Sequence, residues 1–373
     1  MPVSLDIPAT TLTERLVASC EPNWEPAVSG EITRQFPDAV VETLSPGWVA
    51  AEIPREGLLD RPTRIVAFAR QVLPQALDIR ESSITKTAVA VAEEIGRKLD
   101  AHQGPWRWHV FSVTAEGHSG NVGPRRCALL QEAVLEQLKR RYRRLAKRAH
   151  SESRATFDPD EACVQFAPLT LDRGTLSVLT PSELASWRPA VSGWLGGDLE
   201  VPEDKAAPSR ACMKLYEAEL RWGRPIGKGE TCVDLGSSPG GWAWVAARRG
   251  ASVIAIDRSP LREDLMEHRR VSFVKGDAFK FEPTEPVDWL FSDVIAFPQR
   301  IFELLETWLT NGWCRRFCVT IKFRGRDDDQ WLTNFREMLS ERTESFDLRR
   351  LKVNKNEVTA YGEAKRGLRP DQS

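Results

Sequence analysis

The chain has 373 residues, of which 41% are hydrophobic, and its formal net charge is −1. A chain of this length is expected to form two or three domains, each with its own core. The near-neutral charge excludes a wholly basic nucleic-acid coat protein, although it leaves room for a local basic face. No apolar run approaches the roughly 18 residues of a membrane-spanning helix, and the first residues lack the pattern of a secretory signal. We therefore expect a cytoplasmic protein without a membrane partner.

The cysteines indicate reduced thiols rather than disulfides or a metal site. Their number is odd, several lie in apolar runs, and no C-x-x-C pair occurs. A large chain with this pattern is typical of a reducing compartment. We expect that no metal ion is bound or required. The seven positions are Cys20, Cys127, Cys163, Cys212, Cys232, Cys314 and Cys318.

Residues 1–78 predict a small N-terminal α+β domain. A helix is expected over residues 24–35. The segments 40–44 and 47–51 flank a Ser-Pro turn, which favours a hairpin. No chemical motif occurs here.

Residues 79–185 predict a second α+β domain, because helical and strand periods alternate. The expected elements are helices at 85–99 and 126–150 and strands at 106–114, 162–168 and 174–179. The long helix contains a basic segment, residues 139–148, with seven basic residues in ten. On a continuous helix Arg140, Arg144 and either Lys147 or Arg148 would share one face.

That face could contact RNA phosphates. The alternative is an ordinary solvated helix with a run of charge. The candidate RNA-binding residues are Arg140, Arg141, Arg143, Arg144, Lys147, Arg148 and, further along, Arg210.

Residues 186–208 are rich in proline, glycine and charge, which indicates a linker. A helix is expected over 211–221, with Asp204 or Ser209 as its N-cap and Gly223 at its end. Residues 364–373 predict a loose polar tail.

Residues 209–363 alternate strand and helix in the manner of a doubly wound α/β domain. Asn354, Lys355 and Asn356 predict a turn between the last two strands. We expect a mostly parallel, seven-stranded sheet that ends in an antiparallel hairpin. The expected strands are 231–236, 252–257, 271–276, 287–293, 317–323, 347–353 and 357–361, with helices that include 242–249, 299–310 and 328–340.

A glycine turn, residues 236–241, follows the first of these strands. Its glycines, Gly236, Gly240 and Gly241, do not fit the spacing G-x-G-x-x-G, which disfavours NAD. Asp257 ends the next strand, where a carboxylate can hold a ribose diol, and Asp277 ends the third and could accept from an adenine amine. A lone glycine-rich turn is usually just a tight loop, but three strand ends agree here on S-adenosylmethionine (SAM). The candidate cofactor-binding residues are Gly236, Ser238, Pro239, Gly240, Gly241, Trp242, Asp257, Asp277 and Asp293.

Residues 234–242, Asp-Leu-Gly-Ser-Ser-Pro-Gly-Gly-Trp, resemble the cofactor motif of the FtsJ-type ribose 2′-O-methyltransferases. More closely, residues 207–362 resemble the RlmM family of bacterial 23S rRNA (cytidine-2′-O)-methyltransferases. The resemblance implies a class I, Rossmann-like methyltransferase domain that uses SAM. It also implies a THUMP-type, ferredoxin-like RNA-binding domain in the middle of the chain, where the match is architectural only. The expected substrate is a cytidine of large-subunit rRNA that is not yet assembled into the ribosome.

The resemblance further implies a Lys-Asp-Lys-Glu tetrad at Lys214, Asp293, Lys322 and Glu357. A ribose hydroxyl is a poor nucleophile and must lose its proton as the methyl group transfers. Lys322, which is anomalous within an apolar strand, would be the general base, and Lys214 would hold the hydroxyl oxygen. Asp293 would orient Lys322 and the methyl end of the cofactor, and Glu357 would orient Lys214 and the ribose.

The sequence departs from the family at Ala211 and Cys212, where hydroxyl residues are common. Trp106 or Trp187 could stack on bases, although core packing is the more usual role of tryptophan. Two other functions remain open. One is a catalytically silent RNA-binding factor on a methyltransferase scaffold, and the other is a methyltransferase for a protein or a small molecule.

Overall fold

The computed structural model describes residues 13–55, 66–113, 122–188, 190–323 and 331–365. Two compact units divide the chain. The first comprises Met1–Arg64, Ala69–Glu152 and Asp158–Val191, and the second comprises Ile65–Phe68, Ser153–Phe157 and Ser192–Ser373. Within the described ranges, none of the helices is long and apolar enough to cross a membrane. All seven cysteines are buried and unbridged, as predicted.

The first unit begins with a four-stranded antiparallel sheet in the order β2-β3-β1-β4. The predicted helix and hairpin near the N-terminus are confirmed. Gly47, at φ +80°, makes the tight turn between the two hairpin strands. The elements are β1 Thr13–Ser19, α1 Glu25–Gln35, β2 Val40–Ser45, β3 Trp48–Pro54 and β4 Gln71–Leu73.

A five-stranded sheet in the order β5-β9-β8-β6-β7 completes the first unit. Its core contains Trp106 and Trp108, at 0% and 1% exposure. Trp187 is also buried, so the burial of Trp106 and Trp187 agrees with core packing rather than base stacking. The elements are β5 Leu77–Arg80, α2 Ile84–Leu99, β6 Trp106–Val110, α3 Pro124–Arg141, α4 Arg143–Ala146, β7 Ala149–His150, β8 Ala162–Pro168, β9 Arg173–Leu179 and α5 Pro181–Trp187.

The prediction of a single helix over residues 126–150 is wrong. Helix α3 ends at Arg141, because Tyr142 leaves helical geometry at φ −131° and ψ 54°. The Tyr142 ring packs against Gly96 of α2, where a methyl group would lie 2.2 Å from the ring. The chain then turns through α4 and pairs β7 with β6. Tertiary packing thus overrides helix propensity, and the shared helical face predicted for Arg140 and Arg144 does not form.

The second unit contains a seven-stranded sheet in the order β12-β11-β10-β13-β14-β16-β15. All pairs are parallel except those of β16, which is antiparallel to both its neighbours. This is the sheet expected of a class I methyltransferase, and the predicted fold is confirmed. The strands are β10 Thr231–Leu235, β11 Ser252–Asp257, β12 Val271–Lys275, β13 Val287–Ser292, β14 Cys314–Lys322, β15 Thr343–Arg349 and β16 Glu357–Ala364. The helices are α6 Cys212–Trp222, α7 Gly241–Arg248, α8 Glu263–Met266, α9 Pro298–Thr310 and α10 Trp331–Arg342.

Two local predictions in this unit differ from the structure. The N-cap of α6 is Ala211, not Asp204 or Ser209, although Gly223 does end the helix at φ +68°. Strand β15 lies four residues earlier than predicted, so the connection to β16 spans residues 350–356. The backbone of this connection bonds elsewhere than to β16: Lys352 N donates to Glu217 Oε2 at 2.7 Å. Of the helix predicted at 328–340, residues 328–330 lie outside the described residues, and so do residues 366–373 of the predicted tail.

Candidate active site

The strand order reverses between β10 and β13, and the carboxyl ends of the strands at such a switch point form a crevice. The glycine turn lies there, between β10 and α7. Gly236 N and Ser237 N both donate to Ile256 O, at 2.8 and 3.2 Å, which ties the turn to β11. Gly236 has φ +75°, and a methyl group on it would lie 2.9 Å from Val294 Cβ. The turn therefore requires glycine at this position for both conformation and space.

Asp234, at the end of β10, fastens the turn to the helix that follows. Its side chain is 2% exposed, and Oδ2 accepts from Ala243 N in the first turn of α7 at 3.0 Å. Burial raises the pKa of Asp234 to about 8, and the nearby carboxylates of Asp293 and Asp257 act in the same direction. From the sequence, Asp234 belonged to the cofactor motif but had no assigned role. Its position in an apolar strand was the one feature that could have indicated a buried carboxyl.

Asp257 holds the turn from the end of β11. Its Oδ2 accepts from Ser238 N at 3.0 Å, and its Oδ1 accepts from Ser259 N at 2.8 Å. Each carboxylate oxygen retains a second lone pair, so a ribose diol can still be bound. The side chain therefore fits both a structural role in the turn and the predicted role toward the cofactor.

Asp277 is engaged differently. It accepts from Phe279 N at 3.0 Å and from Arg258 Nη2 at 2.7 Å, and these two contacts lower the pKa of Asp277. Asp277 does not line the cleft beside the glycine turn. Its predicted contact with an adenine amine stays a prediction.

The cleft has a volume of about 480 Å³. Every predicted cofactor residue except Gly240 and Asp277 lines it. Six lining residues had no assigned cofactor or catalytic role from the sequence: Ser209, Ala211, Asp234, Ser237, Val294 and Ile295. Among the described residues Ser237 Oγ is buried without a hydrogen-bond partner, so a ligand hydroxyl or carboxylate would complete its bonding. The lining residues are Ser209, Ala211, Asp234, Gly236, Ser237, Ser238, Pro239, Gly241, Trp242, Asp257, Asp293, Val294, Ile295 and Lys322.

The donors and acceptors of this cleft suit SAM. The glycine turn lets backbone approach a ligand closely, and a free buried hydroxyl and carboxylates can bind the polar and cationic groups of the cofactor. Trp242 contributes mainly to packing: it is 2% exposed, and its indole N–H donates to Ala211 O at 2.6 Å. Ala211 and Cys212, which replace the hydroxyl residues common in the family, both have structural roles here. The Ala211 carbonyl accepts the Trp242 hydrogen bond, and Cys212 is buried.

Lys214, from α6, lies between two carboxylates. Its Nζ is 2.9 and 3.1 Å from the two carboxylate oxygens of Asp293, which follows β13, and 2.6 Å from Glu357 Oε1 at the start of β16. Because the Lys214 side chain is only 9% exposed, these ion pairs are shielded from water and salt more than surface pairs are.

Lys322, at the end of β14, contacts the same aspartate. Its Nζ is 2.7 Å from the Asp293 carbonyl oxygen and 3.0 Å from Oδ1. Lys322 stands directly opposite Glu357 in the antiparallel pair of β14 and β16. The structure thus brings together four residues from four separate elements, with Asp293 bridging both lysines and Lys322 lining the cleft.

Asn354, which lies near this cluster, had no predicted role in the site, because the segment Asn354-Lys355-Asn356 indicated only a turn. Asn354 is 3% exposed, and its Nδ2 donates to Glu357 Oε1 at 3.1 Å. No sequence signal separated it from Asn356, which instead donates to Phe323 O at 2.8 Å.

The predicted RNA-binding residues divide into two groups. Arg141 pairs with Glu93, Arg148 donates to His102 O, and Arg210 pairs with Glu203 at 3.2 Å. The others are exposed and form no ion pair within the described part of the chain. These residues are Arg140, Arg143, Arg144 and Lys147.

Comparison with known proteins matches residues 207–321 to the FtsJ-like methyltransferase family. The chain is similar to the ribosomal RNA large subunit methyltransferase M of Pseudomonas putida strain W619, with 37% identity over 43% of this chain and 46% of that protein. It is similar to the protein of the same name from Azoarcus sp. strain BH72, with 34% identity over 50% of this chain and 56% of that protein. The match thus spans about half the length of these relatives. The structure is also similar to the crystal structure of TrmN from Thermus thermophilus, with a TM-score of 0.33 and 15% identity over 94% of this chain and 99% of that chain.

Proposed function

We propose that this chain, which carries an FtsJ-like, SAM-dependent methyltransferase domain, methylates the 2′-hydroxyl of a ribose in RNA. Its target would be a cytidine of unassembled large-subunit rRNA. One observation carries the proposal: Lys214, Asp293, Lys322 and Glu357 form a connected ion-paired cluster, and Asp293 and Lys322 of that cluster line the cleft of the glycine turn. A site that methylates an alcohol needs a proton acceptor beside the cofactor, and this cluster supplies one.

Bound SAM supplies an electrophilic methyl group. A ribose hydroxyl attacks it only if its proton is removed in the same step. Lys214 is enclosed by two carboxylates, whereas Lys322 contacts one carboxylate and a carbonyl oxygen. We therefore assign proton acceptance to Lys322 Nζ, which first releases its own proton to solvent, because only the neutral amine has a lone pair that can accept one. Lys214 Nζ binds the hydroxyl oxygen. Asp293 orients Lys322 and the methyl end of the cofactor, and Glu357 orients Lys214 and the ribose.

RNA as the substrate is supported by two features. The relatives are named as ribosomal RNA methyltransferases, and the first unit carries exposed basic side chains, without ion pairs among the described residues, at Arg140, Arg143, Arg144 and Lys147. Such side chains bind phosphates with little sequence preference. We propose that residues 79–185 form a THUMP-like RNA-binding domain, between the N-terminal domain at 1–78 and the linker at 186–208.

The direct test is transfer of a tritiated methyl group from SAM to total rRNA, followed by mass-spectrometric mapping of the labelled nucleotide. We expect one 2′-O-methylcytidine in the large-subunit rRNA when protein-free rRNA is offered, and little label with assembled ribosomes. Label only in protein or small-molecule fractions would contradict the RNA assignment. A methyl group found on a base would contradict the ribose assignment.

The role of Lys322 is tested by Lys322→Ala. We expect the transfer rate to fall by about 10²–10⁴, the usual contribution of general acid–base catalysis, while calorimetry shows SAM still bound. The matched control is Lys280→Ala, which removes an exposed lysine that does not line the cleft. A Lys322→Ala variant that transfers at the wild-type rate would remove Lys322 as the base.

A further inference from the structure

The hydrogen bond of Glu357 and its shortest ion-pair distance both involve the same carboxylate oxygen, Oε1. Oε1 lies 2.6 Å from Lys214 Nζ and accepts from Asn354 Nδ2 at 3.1 Å. Among the described residues Oε2 has no hydrogen-bond partner, and Lys214 is the only charged side chain paired with Glu357. Oε1 is therefore engaged by Lys214 and Asn354, while Oε2 is available as a hydrogen-bond acceptor within the described part of the chain.

Asn354 is itself fixed by its surroundings. Its Oδ1 accepts from Leu351 N at 2.6 Å and from Thr359 Oγ1 at 3.3 Å, and its own backbone N–H donates to Leu351 O at 3.0 Å. These donors require the amide oxygen on their side, so the amide NH₂ must face Glu357. A buried amide bonded at both ends has no second orientation of similar energy.

We propose that Asn354 is a positioning residue that holds Glu357 with Oε1 on Lys214 and Oε2 free for a substrate hydroxyl. The inference rests on the proposed function, because it concerns how the same site receives the ribose. The donor that holds Glu357 must be neutral, because a cation at position 354 would compete with Lys214 for Oε1 and a carboxylate would repel Glu357.

The test is Asn354→Asp, which keeps the oxygen that accepts from Leu351 and Thr359 and changes only the group facing Glu357. Two carboxyls about 3 Å apart share one proton at low pH and repel each other once both ionise. We expect near-wild-type kcat at about pH 6 and a fall of about tenfold relative to wild type by about pH 8. The Kd for SAM should stay unchanged, because Asn354 does not line the cleft.

The matched control is Asn356→Asp, the same change in the same connection but against Phe323 O rather than Glu357. Its pH–rate profile should have the wild-type shape, whatever its absolute level. Asn354→Ala removes the donor without adding charge, so it should lower kcat equally at every pH. It should be assayed below its melting temperature, since it leaves Leu351 N unpaired.

Thermal unfolding without substrate supplies a second readout. Relative to wild type, Asn354→Asp should lose melting temperature as pH rises, because the folded state retains a shared proton that the unfolded chain releases. Parallel pH–rate profiles for Asn354→Asp and wild type would overturn the positioning role. Wild-type protein that transfers no methyl group to RNA would overturn the proposed function instead, so the two failures are distinct.

Discussion

Replacing Asp234 by Asn removes a buried carboxyl whose proton the fold must retain, and we expect the second unit to become less sensitive to pH. Burial raises the pKa of Asp234 from 3.8 to about 8. A group whose pKa is higher in the folded than in the unfolded state does not lower the free energy of unfolding below about pH 4. It lowers that free energy progressively as pH rises toward the folded-state pKa. Asparagine has the same shape, can still accept from Ala243 N, and does not ionise.

The size of the effect follows from linkage. One proton retained by the folded state changes the free energy of unfolding by about 1.4 kcal/mol per pH unit between the two pKa values. From pH 5 to pH 7 the wild type should therefore lose about 2–3 kcal/mol that Asp234→Asn does not lose. The upper bound above pH 8 is about 6 kcal/mol.

The assay is urea unfolding of both proteins at pH 5, 6, 7 and 8. Because the chain has two compact units, the transition of the second unit is identified as the one that SAM stabilises. The difference in the free energy of unfolding, variant minus wild type, should rise steadily with pH. A difference that is constant across this range would show that Asp234 is ionised in the folded state, and the reasoning from burial would be wrong.

Two further predictions concern the cofactor turn and the RNA face. Gly240→Ala should weaken SAM binding at least tenfold by calorimetry, because φ is +108° and a methyl group there would lie 2.3 Å from a leucine side chain. Gly229→Ala is its control, since φ is +84° with open space around it, and unchanged binding in both variants would refute the steric argument. Changing Arg140, Arg143 and Arg144 together to Glu should leave SAM binding intact while RNA methylation falls and its salt dependence becomes shallower. Full activity at physiological salt would remove these arginines from the RNA surface.

Much of the second unit was predictable because its signals are local. Each strand is a short apolar run followed by a polar or glycine-containing turn, and right-handed crossovers leave few ways to arrange such units. The first unit was harder, since the end of α3 depends on Tyr142 meeting Gly96 from a distant helix. Residues 126–150 contain no proline or glycine to indicate that break.

In the site, too, some features could be predicted from the sequence and others depended on tertiary contacts. The proposed tetrad of Lys214, Asp293, Lys322 and Glu357 followed from the resemblance to the FtsJ-type enzymes, whose motif falls on these positions. The structure decided how they pair: that Asp293 bridges both lysines, and that Glu357 uses one oxygen for Lys214 and Asn354.

The sequence by itself determined the sheet and the glycine turn, since these depend on hydrophobic period and on backbone conformation. The four residues of the proposed tetrad came from the resemblance to a known family. Only the tertiary structure decided which buried groups touch. Asp234 under the turn and Asn354 behind Glu357 owe their roles to neighbours 9 and 3 residues away in sequence, within hydrogen-bond distance in space. Those contacts depend on side-chain orientation and exclusion of water, and no periodicity in the chain encodes either.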